Sequence, residues 1–148
     1  MPERVNRWAM GILKVSYEYA SNGDDFGRLR FVVETEDFAG RGGFWVQWQD
    51  VEEFAAALED YPLSKDAPPM ARWGFEDVQG NNLILGLAIR PIDARGTLGV
   101  SVEIADELEP KNRVRVELKT HYPQVAAFRE RLFKIMRREA DEATLTED

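Results

Sequence analysis

The sequence predicts an α+β domain: an antiparallel, twisted sheet of about six to seven strands with two helices packed on it. Three observations carry this. Most of the chain alternates apolar and polar residues with the two-residue period of a half-buried strand. The alternating runs are joined by short turns rich in Gly, Asn, Asp and Pro, too short for parallel crossovers. Two stretches, one starting near Asp50 and one near Pro123, switch to a helical period.

The elements follow in order. Gly11 to Ala20 reads as a strand with Leu13, Val15, Tyr17 and Tyr19 on one face, and Ser21 to Gly27 as a turn. From Gly27, Leu29, Phe31 and Val33 alternate against Arg28 and Arg30. Ala39 to Gly43 reads as the next turn and Phe44 to Gln49 as a strand. In that strand Phe44, Val46 and Trp48 face one way, and Trp45, Gln47 and Gln49 the other. Asp50 suits an N-cap, with Glu53 three residues on, and Val51, Phe54, Ala55 and Leu58 form the stripe of the first helix. Pro62 stops it.

Met70 to Val78 reads as a short strand and Gln79 to Asn82 as a turn. Leu83 to Ile89 is apolar on both faces, which predicts a central strand covered on both sides. Pro91 to Gly96 turns the chain. Thr97 to Ala105 and Arg113 to Thr120 alternate, separated by a turn at Glu109 to Asn112. Pro123 opens the last helix, whose stripe is Val125, Phe128, Leu132, Ile135 and Met136. Residues 1–148 are read as a single domain, with 1–9 and 140–148 as flexible ends.

An internal echo points to a pseudo-repeat. Gly27, Leu29, Val33 and Glu34 match Gly96, Leu98, Val102 and Glu103 in spacing. Each set precedes a strand and a helix whose stripe opens on Val51, Phe54, Leu58 or on Val125, Phe128, Leu132.

Composition narrows the function classes. The chain has 148 residues, 44% hydrophobic and 31% charged, as folded domains do. It has no cysteine, which excludes disulfides and thiolate metal sites. No apolar run is long enough for a membrane span or a signal peptide, so the expected location is cytoplasmic, with no membrane partner. The net charge of −8 points away from phosphate backbones and towards a basic partner.

Residue clusters for chemistry are sparse. His121 is the one histidine and lacks a serine-centred motif. Glu34, Glu36 and Asp37 cluster, as do Glu103, Asp106 and Glu107, without a metal-loop pattern. The glycines at 40, 42 and 43 lack the lysine and following helix of a phosphate loop. Neither a cofactor nor a metal site is expected, and no residue is assigned a catalytic role. The basic residues of the last helix read as a solvated face. The sheet shows no interleaved aromatics for stacking bases.

The order of an aromatic strand, a helix, a paired apolar hairpin and a closing helix is carried by Trp48, Asp50, Phe54, Leu58, Asp93, Gly96, Phe128 and Leu132. In this it resembles the small immunity proteins of WapI-type bacterial polymorphic toxin systems and their uncharacterised relatives, over about Leu29 to Leu132. The resemblance implies a cytoplasmic, non-enzymatic bacterial protein that binds and neutralises a cognate toxin, and it supplies no site residues. The expected partner is a basic toxin domain and not nucleic acid. Contacts are expected from Glu34, Glu36, Asp37, Glu52, Glu53, Glu59 and Asp60, with Trp45 and Trp73 as aromatic anchors. The alternatives are a self-associating module, a homodimer through an edge strand or helix face, and an enzyme using Glu34 and Glu103 as a carboxylate pair.

Overall fold

The computed structural model describes residues 11–148. The expectation of a flexible end at 1–9 lies outside them. Eight strands and two helices follow in the order β1 (Ile12–Tyr19), β2 (Phe26–Glu34), β3 (Ala39–Gln47), α1 (Trp48–Ala57), β4 (Met70–Gly74), β5 (Leu83–Pro91), β6 (Thr97–Ala105), β7 (Arg113–His121), α2 (Tyr122–Met136) and β8 (Glu142–Thr146). The α+β class, the antiparallel pairing and the two helices are as the sequence predicts. The strands form two four-stranded sheets, sheet A in the order β3-β2-β1-β8 and sheet B in the order β4-β5-β6-β7. The pseudo-repeat takes the form of two antiparallel meanders, β1-β2-β3 and β5-β6-β7. Each runs directly into its helix.

The division into two sheets has a packing reason. β3 contacts all four strands of sheet B, so it lies across them. Its inward face carries Gly40 and Gly42 where the other strands carry branched residues. A Cβ on Gly40 would sit 2.3 Å from Val114 Cγ1, and one on Gly42 would sit 2.8 Å from Ile104 Cγ2. Absent side chains therefore let the β3 backbone seat directly against Val114 and Ile104. The reading of Ala39 to Gly43 as a turn is corrected accordingly. The reversal occurs at residues 35–38, closed by Thr35 N–H to the Phe38 carbonyl at 2.8 Å.

The inward faces behave as the alternation predicts. Leu13, Val15 and Tyr17 of β1, Leu29, Phe31 and Val33 of β2, and Leu98, Val100, Val102 and Ile104 of β6 are buried. They form one cluster with the stripes of both helices. β5 is central, between β4 and β6. Leu85, Leu87 and Ile89 face inward, but no helix covers its other face. Gly86 and Ala88 instead floor a shallow trough lined by Met70, Arg72, Arg90, Arg115 and Glu117. Small size rather than a second layer removes them from water.

α1 begins at Trp48 with Gln47 as N-cap and no side-chain capping bond. Asp50 lies in the first turn instead, where a carboxylate still favours the helix dipole. The orphan Trp48 amide donates to the Asp25 carbonyl at 3.0 Å, so the β1–β2 turn does the work of a cap. α2 ends in a left-handed residue, Arg138, with the Glu139 amide donating to the Lys134 carbonyl at 2.8 Å.

The expected flexible end at 140–148 is corrected. Glu142–Thr146 pairs antiparallel with β1, and Ala143 and Leu145 are fully buried. Glu147 then joins the sheets. One carboxylate oxygen accepts from the Gly11 amide at 2.8 Å and the other from the Lys119 amide at 3.0 Å. Beside it, the buried Thr120 hydroxyl donates to the Thr146 carbonyl at 2.8 Å. Acidity had argued for fraying. The alternation of Ala143 and Leu145 against polar neighbours is a strand signal short enough to pass for tail.

Candidate functional site

The outer face of sheet A brings together side chains that are distant in sequence. Register places them in rows. Glu18, Arg28 and Trp45 stand opposite one another across β1, β2 and β3; Ser16, Arg30 and Gly43 form the next row, and Lys14, Val32 and Arg41 the next. Trp45 is 50% exposed and Phe26, diagonal to it, is 39% exposed. A Cβ on Gly43 would lie 3.0 Å from Arg28 Nε and 3.2 Å from Arg30 Cγ, so both arginines lie over this glycine. Arg28 reaches on to the Glu107 carboxylate at 2.9 Å. Lys14, Arg30 and Arg41 have no ion-pair partner among the described residues. The result is an open sheet face with a half-exposed indole, a second aromatic ring and unneutralised guanidinium groups.

Of the other expected contact residues, Glu34 shares this outer face, diagonal to Arg41, and the rest lie elsewhere. Glu34 is exposed at the end of β2, and Glu36 and Asp37 are exposed in the turn before β3. Glu52 and Glu53 stand on the solvent side of α1. Trp73 is partly buried on the inner face of β4, edge-on to Phe31 with centroids 6.4 Å apart. Trp45 and Trp73 therefore do not form one patch. Glu53 and Trp73 do share a groove, of about 450 Å3, between α1 and β4. The residues that sequence reasoning missed are Phe26, Arg28, Arg30 and Arg41 as neighbours of Trp45. The outward direction of Arg28 and Arg30 was legible; their pairing opposite Trp45 and Gly43 needed the register.

The carboxylate pair imagined for an enzyme is not assembled. Glu34 lies on the outer face of sheet A. Glu103 lies on that of sheet B, held by Arg113 at 2.8 Å and Arg115 at 3.7 Å. His121 sits between two partners, Asp148 at 2.6 Å from Nδ1 and the Thr97 hydroxyl at 3.4 Å from Nε2. Asp93 accepts the Arg95 and Thr97 amides at 2.7 and 3.2 Å. These bonds hold its carboxyl below the usual range. Among the described residues no group of three or more His, Asp or Glu side chains is arranged to hold a metal. Two basic side chains, one in α2 and one just after it, are used locally. Arg131 donates to the Glu142 carbonyl at 3.1 Å, and Arg138 lies 3.9 Å from the Tyr19 ring centroid. No helix among the described residues is long and apolar enough to cross a membrane.

No family model matches the chain, and no curated protein matches it. Solved structures similar in shape include WHY3 from Arabidopsis thaliana, with a TM-score of 0.46 and 10% identity over 86% of this chain and 82% of that one. WHY1 from the same organism gives 0.45 and 12% over 86% and 78%. At such identity the likeness concerns the course of the chain alone.

The partners expected from the sequence are corrected here. Total charge points to a basic toxin domain and away from nucleic acid. The outer face of sheet A carries the exposed rings of Phe26 and Trp45 beside Arg28, a placement that only the register reveals. A summed charge of −8 does not describe the local field over Arg28, Arg30 and Arg41.

Proposed function

We propose that the protein is a non-catalytic binding protein whose outer face of sheet A takes a single strand of nucleic acid. The observation that carries this is Trp45, half exposed and directly opposite Arg28, with Arg30 diagonal to it and Arg41 further along the same strand. An exposed indole offers a face on which any base stacks, and neighbouring guanidinium groups take the phosphates. An open, twisted sheet face accommodates splayed bases better than it fits a duplex groove. Such a ligand agrees with a cytoplasmic location.

Fluorescence anisotropy with a labelled single-stranded oligonucleotide at low salt tests the proposal. Trp45→Ala is expected to weaken binding about 5- to 150-fold, since stacking contributes roughly 1–3 kcal/mol per base. Arg30→Ala is expected to lower the slope of log affinity against log salt by about 0.7, one phosphate contact on a single strand. Trp45 emission should be quenched on binding. Absence of binding at low salt, or binding indifferent to Trp45→Ala, overturns the reading. An immunity-type role in bacteria rests on the sequence resemblance alone, and such a negative result would return weight to it.

A further inference from the structure

The groove between α1 and β4 has a polar floor of a particular kind. β4 is an edge strand, paired with β5 only. The Ile89 amide donates to the Pro69 carbonyl at 3.2 Å, and Met70, Ala71, Arg72 and Trp73 pair with Ala88, Leu87, Gly86 and Leu85. In an antiparallel ladder the bonded pairs alternate. Pro69, Ala71 and Trp73 therefore turn their backbone groups towards β5. Met70 and Arg72 turn their amides and carbonyls to the free edge, and that edge opens into the groove, which residues 67–73 line on this side.

The opposite wall is acidic. Asp50, Glu53 and Asp60 line it, and none has an ion-pair partner among the described residues. The one cation of the lining, Arg72, donates to the Val78 carbonyl at 2.9 Å. Phe54 and Trp73 add apolar surface between the walls.

We infer that this groove binds an extended peptide segment that adds to β4 as a further strand and carries Lys or Arg on alternate residues. Strand addition satisfies the four free backbone groups of Met70 and Arg72, and it needs no particular side chain to do so. Specificity comes from alternation. Every second residue of the added strand points to the α1 side, where Asp50, Glu53 and Asp60 wait, and the residues between point to the side of Met70 and Arg72. The occupant is an unfolded segment rather than a folded domain. The site is separate from the Trp45 face and does not rest on its function.

The test uses the full chain and three synthetic peptides: one with lysine on alternate positions, its twin with glutamate there, and a lysine peptide N-methylated along one backbone edge. Amide chemical shifts report the site. The lysine peptide is expected to move resonances of residues 67–73 and α1, and to bind about tenfold or more tighter than the glutamate twin. The N-methylated peptide, of equal charge, should lose binding. Asp50→Asn with Glu53→Gln and Asp60→Asn should abolish the preference for lysine while leaving the β4 register intact. Equal binding of the glutamate twin, retained binding of the N-methylated peptide, or self-association through β4 that the lysine peptide does not displace overturns the inference.

Discussion

Substituting Gly40 by alanine tests why the strands divide into two sheets. The new Cβ would lie 2.3 Å from Val114 Cγ1, against a comfortable carbon separation of about 3.5–4.0 Å. Something must yield by more than about 1 Å, and Val114 is β-branched, with restricted χ1 freedom. Taken alone, alanine for glycine within a strand favours folding by about 0.5–1 kcal/mol. Overpacking of this kind costs about 1–3 kcal/mol and outweighs it. The expected net loss is about 1–2 kcal/mol, a fall in Tm of roughly 2–8 °C for a chain of this size. Val114→Ala removes the clashing methyl and leaves Val114 Cβ 3.3 Å away. The double variant should therefore recover part of the loss, with a coupling energy of about 1 kcal/mol or more. Urea unfolding followed by tryptophan fluorescence measures all four proteins. A Gly40→Ala variant as stable as the parent, or strict additivity in the cycle, refutes close backbone approach as the cause.

Three further outcomes are expected. Burial raises the phenol pKa of Tyr17, whose hydroxyl donates to the Val46 carbonyl at 2.8 Å, and also that of Tyr19. A raised folded-state value means full stabilisation below the free value of 10.0 and loss as pH climbs above it, so Tyr17→Phe should flatten the alkaline fall in urea midpoint. Asp93 is the opposite case. Its lowered folded-state value gives stabilisation present above 3.8 and lost as pH falls through the folded value, so the stability gap between the parent and Asp93→Asn should narrow from pH 7 to pH 3. Leu145→Ala, at a fully buried position of β8, should cost about 2–5 kcal/mol in the same unfolding assay, whereas a fraying tail would show no change.

Alternation is a local property, and whatever followed from it was legible. The inward faces of β1, β2 and β6 and the stripes of both helices needed only spacing. What failed was non-local. Gly40 and Gly42 look like turn residues until Val114 and Ile104 are placed against them. The N-terminus of α1 was misplaced because its cap comes from Asp25, a backbone group with no side-chain signature. The candidate site failed for the same reason. Trp45 was identified as outward, but whether it faces Arg28 or a carboxylate is a matter of register, and one residue of slip reverses every face. The groove beside β4 was invisible because an edge is defined by the strand that is missing.

The pairing of β8 with β1 also orders the making of the molecule. Sheet B is contiguous in sequence and closes through short connections, so each of its strands meets a neighbour soon after synthesis. Sheet A is different: Gly11 waits for Glu147, 136 residues later. Until then β1 presents an open edge, the kind of template on which a second nascent chain can pair. A ribosome stalled before Glu142 would leave that edge exposed, and crowded synthesis should be the condition under which this protein aggregates most readily.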